Sequence, residues 1–473
     1  MTPEILPDLG YPGKRDGKKK YDASMISHPP CSAATLAEST GFLPLDDPLR
    51  AVLHNEVHAR PPARVRLPAL IIQVAVLNAD VSREQEWAHL RLLTGQGQLP
   101  LEQLQSNFLR LPCGNHVVKW ERHTEFTRYS IGQALPGRAL LGAVEPELLS
   151  ALAIMPEWLR GIPGRTVAAV QLAMVEGALT DEPALMRQAQ AWFGNRAIIA
   201  SQLGHGHSWA VTDFLIGADG FERMLVIAAP GTSESRAGRI SQRLLELEIY
   251  RLMALRGLPV AKQLAPMLAE AESALADITA QLENKSALDQ QLLDTLVSLA
   301  ARVERATAEN IYRFSATRAY NTLVGQRLVE LREKPIPGTQ TLGEFMQRRL
   351  SPAIATVAAT AQRLSSLSER VTRTSALLRT RVDIATEAQN QQLLEKLTRG
   401  QELQLRLQST VEGLSIAAIC YYVISLLLYG GKAAKAAGAP VNPEILAGAL
   451  IPLVLWLVWR NIRRIHAKLQ GGD

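Results

Sequence analysis

Read as an alternation of apolar and polar positions, the chain changes character twice. Between residues 46 and 231 short apolar runs alternate with helix-length segments, which predicts a mixed α/β domain. Residues 69–77 (ALIIQVAVL) are almost all aliphatic, the pattern of a strand buried on both faces. Ser82 is placed to cap a helix carrying Trp87, Leu90, Leu92 and Leu93, with Glu84 and Glu86 in its first turns. In 115–131, Val118, Trp120 and Arg122 alternate with polar neighbours, and Phe126 and Tyr129 follow. That spacing predicts one bent strand or a hairpin. Further strands are predicted over 165–174, 196–202, 208–216 and 221–228, the last two joined by the turn Gly217-Ala218-Asp219-Gly220.

From 232 to 340 the pattern is helical, broken near Gly257-Leu258-Pro259, around Asn284 and at Pro335 to Gly338. One helix, over 263–283, carries Glu270, Glu272, Asp277 and Glu283 with no basic residue, and a short connection folds it back on its successor. The strongest period follows, in a stalk over 341–413. Leu350, Val357, Leu364, Val371, Leu378 and Ala385 recur every seven residues, with Ile354, Ala361 and Val382 in the complementary positions. The seam shifts phase around Leu393 and Leu397 and resumes with Leu403, Leu407, Val411 and Leu414. Such a stripe serves either the α/β domain or an antiparallel neighbour in the same chain, or else an intermolecular coiled coil. No proline falls between Ala353 and Gly438, so the stalk is expected to enter the next segment without a break.

The second change comes at Leu414. Residues 414–429 (LSIAAICYYVISLLLY) and 445–459 (ILAGALIPLVLWLVW) hold no charge. At a rise of about 1.5 Å each run is about 22–24 Å long, which flanking residues extend towards the roughly 30 Å of a hydrocarbon core. Two such runs close together are expected to form a transmembrane hairpin: a first span over 414–431, a loop over 432–443 and a second span over 444–460. Asn442-Pro443-Glu444 reads as the start of the second helix. The tail, 461–473, follows Arg460 and carries Arg463, Arg464 and Lys468 against Asp473, while the loop has Lys432 and Lys435. The positive-inside rule then places both termini on the cytoplasmic side. Along the first span Ser415, Tyr422 and Tyr429 lie seven apart, with Ala418 and Ser425 between them, a polar and small stripe that lines a pore in an oligomer or packs helix on helix.

Composition adds little to this. The net charge of +6, from 51 basic and 45 acidic side chains, is too modest to specify nucleic acid, and no aromatic RNA-binding pair accompanies it. Lys14, Arg15, Lys18, Lys19 and Lys20 lie in a Pro/Gly-broken arm over residues 1–45, whose start has no signal-peptide core. Cys31, Cys113 and Cys420 have no metal-type spacing, which argues for free thiols. There is no nucleophile elbow and no CxxC.

Three clusters remain as candidates for chemistry. His54 and His58, four apart with Glu56 between them, would share a helix face able to bind a metal, though Glu56 is not placed as the base of a zinc-protease motif. His205 and His207, in Gly204-His205-Gly206-His207 between two strands, would complete a tetrahedral set if the fold brought the pairs together. Arg236, Arg239 and Arg243, at a strand-to-helix junction, suit an anion such as phosphate or acidic lipid, or else acids across a solvated helix face. His116 and His123 are expected on a strand surface, and Asp213 and Glu222 as further carboxylates.

The segments DDPLRAVLHNEVHARPP (46–62) and RAGRISQRLLELEIYRLMALRGLPVAK (236–262), with EGLSIAAICYY at the first span, resemble an uncharacterised bacterial family of membrane-anchored proteins carrying a domain of unknown function. That resemblance covers nearly the whole chain from Asp46 onward; it implies the bacterial inner membrane and supplies no activity. The layout of α/β domain, acidic helical hairpin, stalk, two spans and basic tail is also similar to the CorA magnesium-transporter superfamily, whose members form pentameric channels. Their Gly-Met-Asn signature is departed from here, where Tyr429-Gly430 is followed by Gly431-Lys432. The expectation is an oligomeric, non-catalytic membrane protein, a scaffold or regulator with the lipid bilayer as partner. An altered CorA-like channel and a metal-dependent tethered enzyme are the alternatives, and no cofactor is specified.

Overall fold

A computed structural model describes residues 47–50, 53–54, 64–93, 95–284, 289–438, 440 and 442–470, with backbone alone at 284 and from 462 onward. The chain divides into two units, Met1–Pro61 and Pro62–Asp473. In the first, the Asp47 carboxylate accepts the Leu49 N–H at 2.7 Å, and the Leu53 N–H reaches the Leu49 carbonyl at 2.8 Å, opening a helical turn.

The second unit is built on one nine-stranded sheet with the order β2-β3-β4-β1-β5-β8-β7-β6-β9. Its strands are β1 (Ala69–Leu77), β2 (Phe108–Cys113), β3 (His116–Arg122), β4 (Phe126–Ala134), β5 (Arg165–Glu176), β6 (Ile199–Leu203), β7 (Ser208–Ile216), β8 (Glu222–Ala228) and β9 (Lys334–Pro335). Only the β5–β8 pairing is parallel. The 115–131 segment forms the hairpin β3–β4, and the run at 69–77 is a central strand buried along its length. Both edge strands carry a proline, Pro112 in β2 and Pro335 in β9. A proline lacks the N–H that a further strand would pair with, so it is tolerated at an edge and blunts it.

Successive residues of the strands supply two cores. Leu70, Ile72, Val74 and Val76 of β1 face one side, packed with α1 (Arg83–Leu90), α2 (Pro156–Arg160) and α3 (Glu182–Trp192). Ser82 caps α1 as its sequence predicts, its hydroxyl accepting the Gln85 N–H while the Gln85 side chain accepts the Ser82 N–H. Ala69, Ile71 and Ala75 face the other side, covered by α4 (Glu234–Leu255). The C-terminal end of α6 (Asp289–Leu331) packs over α4 through Val324 and Leu331, so α4 is sandwiched and buries Glu246 and Glu248 along with its leucines.

A third core leaves the sheet. Here α5 (Gly257–Asn284), the N-terminal part of α6 and the long helix α8 (Ser351–Ala436) form a bundle of three. The break at Gly257-Leu258-Pro259 is narrower than its composition implies: α5 starts at Gly257 and takes Pro259 in its first turn, where a missing N–H is harmless. A Cβ at Gly257 would lie 2.4 Å from the Thr317 hydroxyl, so only glycine allows α5 this close to α6. The stalk also starts later than the pattern suggests. The short helix α7 (Leu342–Arg349), closed by a Thr341/Glu344 capping box, precedes α8, and the chain between α6 and α7 returns to the sheet as β9.

Leu350, Val357, Leu364, Val371 and Leu378 of the heptad seam are buried within this chain, the last four against α5 and α6. Val382 is the last partly buried member of that bundle, and Ala385 is exposed. Helix α8 then runs 86 residues in all, about 129 Å, straight through Leu414 and past the end of the first apolar run. The connection to α9 (Pro443–Gln470) is accordingly shorter than the predicted loop, because the helix continues to Ala436.

Candidate functional site

The hairpin of α8 and α9 is the feature with the least ordinary surface. Both helices are long and apolar enough to cross a membrane, and in their most apolar windows only 6% and 17% of positions are buried. Large side chains are bare on most sides, among them Tyr422, Leu426, Tyr429, Ile445 and Trp456. What is buried is one narrow seam. Cys420 of α8 is 4% exposed, and Ala447 and Val454 of α9 are 5% and 7% exposed. At the far end Gly431 meets Pro443, where a Cβ would come within 3.2 Å of the proline Cβ. Small residues at both ends of the seam let the helices approach closely.

Counting about 100° per residue, the seam positions Ile416, Cys420, Ile424, Leu427 and Gly431 fall within roughly 40° of Cys420. Ser415, Tyr422, Ser425 and Tyr429 fall about 140° to 220° away, on the opposite side of the helix. The polar stripe is therefore turned from α9. Ser415 satisfies its hydroxyl on its own helix, donating to the Val411 carbonyl at 2.9 Å. Tyr422 and Tyr429 are exposed and Ser425 is half-buried. Just beyond, the Lys432 ammonium lies over the Tyr429 ring at 6.0 Å from its centre.

The arginine cluster at the start of α4 separates. Arg236 and Arg239 are exposed, whereas the Arg243 Nε donates to Glu330 Oε2 on α6 at 3.0 Å. Arg243 does not reach Glu246, which instead closes a buried ionic chain. Arg128 of β4 is 4% exposed and pairs with Glu121 of the adjacent strand and, at 3.3 Å, with Glu246 of α4. Arg327 of α6 then joins Glu246 at 2.6 Å to Glu330 at 2.9 Å. Three acids and three arginines alternate from the sheet through α4 to α6. Burial opposes the charge of Glu121, but the Arg128 guanidinium beside it outweighs that and holds the carboxyl down at about 2. Removing Arg128 or Glu246 would strand a buried charge, whereas Arg243 and Glu330 at the outer end are partly solvated, so the buried members fix the register of α4 on the sheet.

A second buried group has the opposite balance. Glu222 at the start of β8 and Glu248 of α4 share one arginine, Arg251, whose Nη2 lies 3.1 Å from Glu222 Oε1. The other oxygen of Glu222 has no hydrogen-bond partner. Burial, then the neighbouring Glu248, push the Glu222 carboxyl up to about 8, against the pull of Arg251. The adjoining bulge in β7 puts Phe214 at a φ of 50° and stacks its ring on Phe345 at 4.4 Å. Asp213, beside it, is held by Arg196 at 2.9 Å. Asp213 and Glu222 thus lie in the protein interior as parts of ion pairs.

His205 and His207 are exposed in the β6–β7 turn, His205 at a φ of 64°, and the Arg332 Nη1 lies 3.5 Å from His205 Nε2. The guanidinium beside it disfavours a second cation at His205. His54 lies in the first unit, and His58 is outside the described residues. Among the described residues no three His, Cys, Asp or Glu side chains are grouped as a metal site. His116 is buried at 8%, not on the strand surface, and His123 stacks on Phe126 at 4.5 Å. A histidine that composition does not single out is the most perturbed: His89 of α1 stacks on Trp158 at 4.4 Å, and burial lowers it to about 4.

The buried ionic groups had one legible trace in the sequence. Glu246 and Glu248 stand among Leu244, Leu245, Leu247 and Ile249, acids inside a stretch apolar all round, which is the composition of a helix covered on both sides. No curated protein and no solved structure matches the chain. A family model does, described as protein of unknown function (DUF3422), and it spans residues 45–469. With the sheet domain, the bundle and both apolar helices all inside that span, the chain belongs to the DUF3422 family.

Proposed function

We propose that the protein is a non-catalytic, membrane-anchored scaffold, with the α/β domain carried on the cytoplasmic side at the end of a rigid helix. The observation that supports this most is the course of α8. Among the described residues it leaves its last packed neighbour near Val382 and continues bare for about 32 residues, some 48 Å, before the first uncharged run begins at Leu414. An isolated helix of that length joined to an apolar hairpin is the build of a spacer and an anchor. The basic positions from Arg460 onward favour a cytoplasmic tail, and two crossings then return the domain to the same side. In bacteria this is the inner membrane.

The test is fractionation of cells making full-length protein and protein truncated before Leu414. Full-length protein should stay with membranes after an alkaline wash, and the truncated chain should be released. A tag fused after Asp473 should be reached by a membrane-impermeant label only in opened cells. Retention of the truncated chain, or labelling of intact cells, would overturn the reading.

A channel of CorA type is the second reading. It is favoured by the polar stripe on the face of α8 turned from α9, and opposed by Gly431-Lys432, which sets a cation where the signature of that superfamily binds one. The metal-dependent enzyme is the least supported of the three, given Arg332 at His205.

A further inference from the structure

The bare part of α8 carries one continuous stripe whose chemistry its surroundings disfavour, in both solvents, while Leu394, Leu403 and Leu405 are bare singly around the rest of the helix. On the stretch read as lying in water, Leu393, Leu397, Leu407 and Val411 are 57–68% exposed. Counted at about 100° per residue, these four fall within roughly 40° of the direction opposite Cys420. In the apolar run the same face continues as Ser415, Ala418, Tyr422, Ser425 and Tyr429, again within roughly 40° of that direction. The stripe therefore keeps one side of the helix for about ten turns, mainly aliphatic in water, where Gly400 and Gln404 interrupt it, and polar or small in lipid. Each half is disfavoured by its own solvent and each is what helix association uses there, leucine burial in water and small or hydroxyl-bearing residues in lipid.

The charges lie elsewhere. Glu395, Arg399, Glu402, Arg406 and Glu412 fall within roughly 80° of Cys420, on the other side of the helix; Lys396 flanks the stripe about 60° from its centre, and the stripe itself carries no charge. α9 cannot cover the stripe, because it occupies the Cys420 face.

We infer that this stripe is the contact face for a second copy of the same chain, joined in parallel and in register along α8 from Leu393 to Tyr429. The inference rests on the membrane anchoring proposed above. Anchoring holds every copy at one depth and one orientation, so like residues meet like, and an uncharged face has nothing to repel its own image. The change from aliphatic to small and polar at the lipid boundary then falls at the same level on both partners. The stripe holds about 11 of these 37 positions, and a helical contact that also engages its flanks, Lys396 among them, takes in about four of every seven, about 21 a side, within the roughly 20–30 of a standard interface.

The experiment is disulfide trapping of full-length protein in native membranes, with Cys31, Cys113 and Cys420 replaced by serine, serine and alanine. Single cysteines are placed on the stripe, Leu407→Cys and Val411→Cys, and on the charged side, Glu402→Cys and Arg406→Cys. Oxidation should yield a species of twice the 51.7 kDa chain mass for the stripe pair, at least tenfold more than for the charged side, since a disulfide forms only when Cα atoms come within about 7 Å. All four introduced sites lie on exposed helix surface, and the protein with the native cysteines replaced, matched to the parent by thermal melt, is the reference for each. Equal yields on both faces, no stripe product in membrane-bound protein, or a product of any other mass would overturn self-association. Loss of the protein from the membrane fraction would instead count against the anchoring. As a second readout, Leu407→Asp with Val411→Asp should halve the protein mass seen by light scattering in mild detergent; an unchanged mass would overturn the inference.

Discussion

At the scale of single residues the molecule separates two uses of buried charge. In the Glu121–Arg128–Glu246–Arg327 chain each acid has its own cation, and Glu121 and Glu246 are both held below the usual carboxylate range despite burial. Glu222 shares its arginine with Glu248 and has Asp213 nearby, so one more negative charge is buried than the cations there favour. Its carboxyl, raised to about 8, retains a proton at neutral pH and can donate it to Glu248. The unfolded chain releases that proton at about 4.3. Between the two values the folded state holds more protons than the unfolded, so this group's contribution is full at low pH and is lost as pH rises through about 8. Glu222→Gln keeps a hydrogen-bonding group of the same shape and cannot ionise. Its melting temperature should exceed that of the parent increasingly as pH rises from neutrality to about 8.5, with the two profiles converging toward about pH 5. Thermal melts across that range check it, and parallel profiles would refute the assignment. Before folding only Glu248 left a trace, as an acid inside an apolar stretch, since its partners are brought together from β7, β8 and α4.

At the scale of elements, one heptad pattern covers two kinds of helix. As far as Leu378 its apolar positions are spent on α5 and α6; beyond Val382 the same kind of position is bare. Period alone cannot distinguish them, because it reports a face and not what covers the face. Leu364, 3% exposed, and Leu405, 65% exposed, make the contrast measurable. Leu364→Ala should destabilise the bundle by about 2–5 kcal/mol, and Leu405→Ala should stay within about 0.5 kcal/mol of the parent. Denaturation of full-length protein in detergent, followed by circular dichroism, reads both. Equal effects would mean that the bare stretch is packed after all. The strands show the same limit. β1, β5, β7 and β8 have runs long enough to declare themselves, whereas β2 and β9 do not. Each of those two contains a proline, a residue that argues against a strand until its place at the sheet edge is known. The apolar hairpin was the most legible element of all, because lack of charge over a whole run needs no tertiary information.

At the scale of the whole molecule, the bare helix sets a distance. Beyond Val382 and as far as Leu414 nothing among the described residues packs on α8, so the length of that segment fixes the height of the bundle above the start of the apolar run. Deleting residues 384–390 removes about two turns. It leaves Val382 in the bundle and the Leu393–Tyr429 stripe intact, and should lower the domain by about 10 Å while turning it only about 20°. Protein in lipid nanodiscs, imaged by electron microscopy, should show the sheet domain nearer the disc by that amount, with its melting temperature unchanged because no packed residue is lost. A domain that stayed at its original height would be resting on something other than the helix, and a spacer role could not hold. If a spacer is the function, the number of turns is what selection acts on along this stretch: whole heptads can be exchanged freely, because they keep the stripe and the domain facing as before. Removing four residues instead would turn the domain by about 40° relative to the stripe, which rearranges neighbouring domains in an assembly but not in a lone chain. A scaffold that works through adjacent copies should therefore tolerate the seven-residue deletion better than the four-residue one, although the shorter deletion changes the height less.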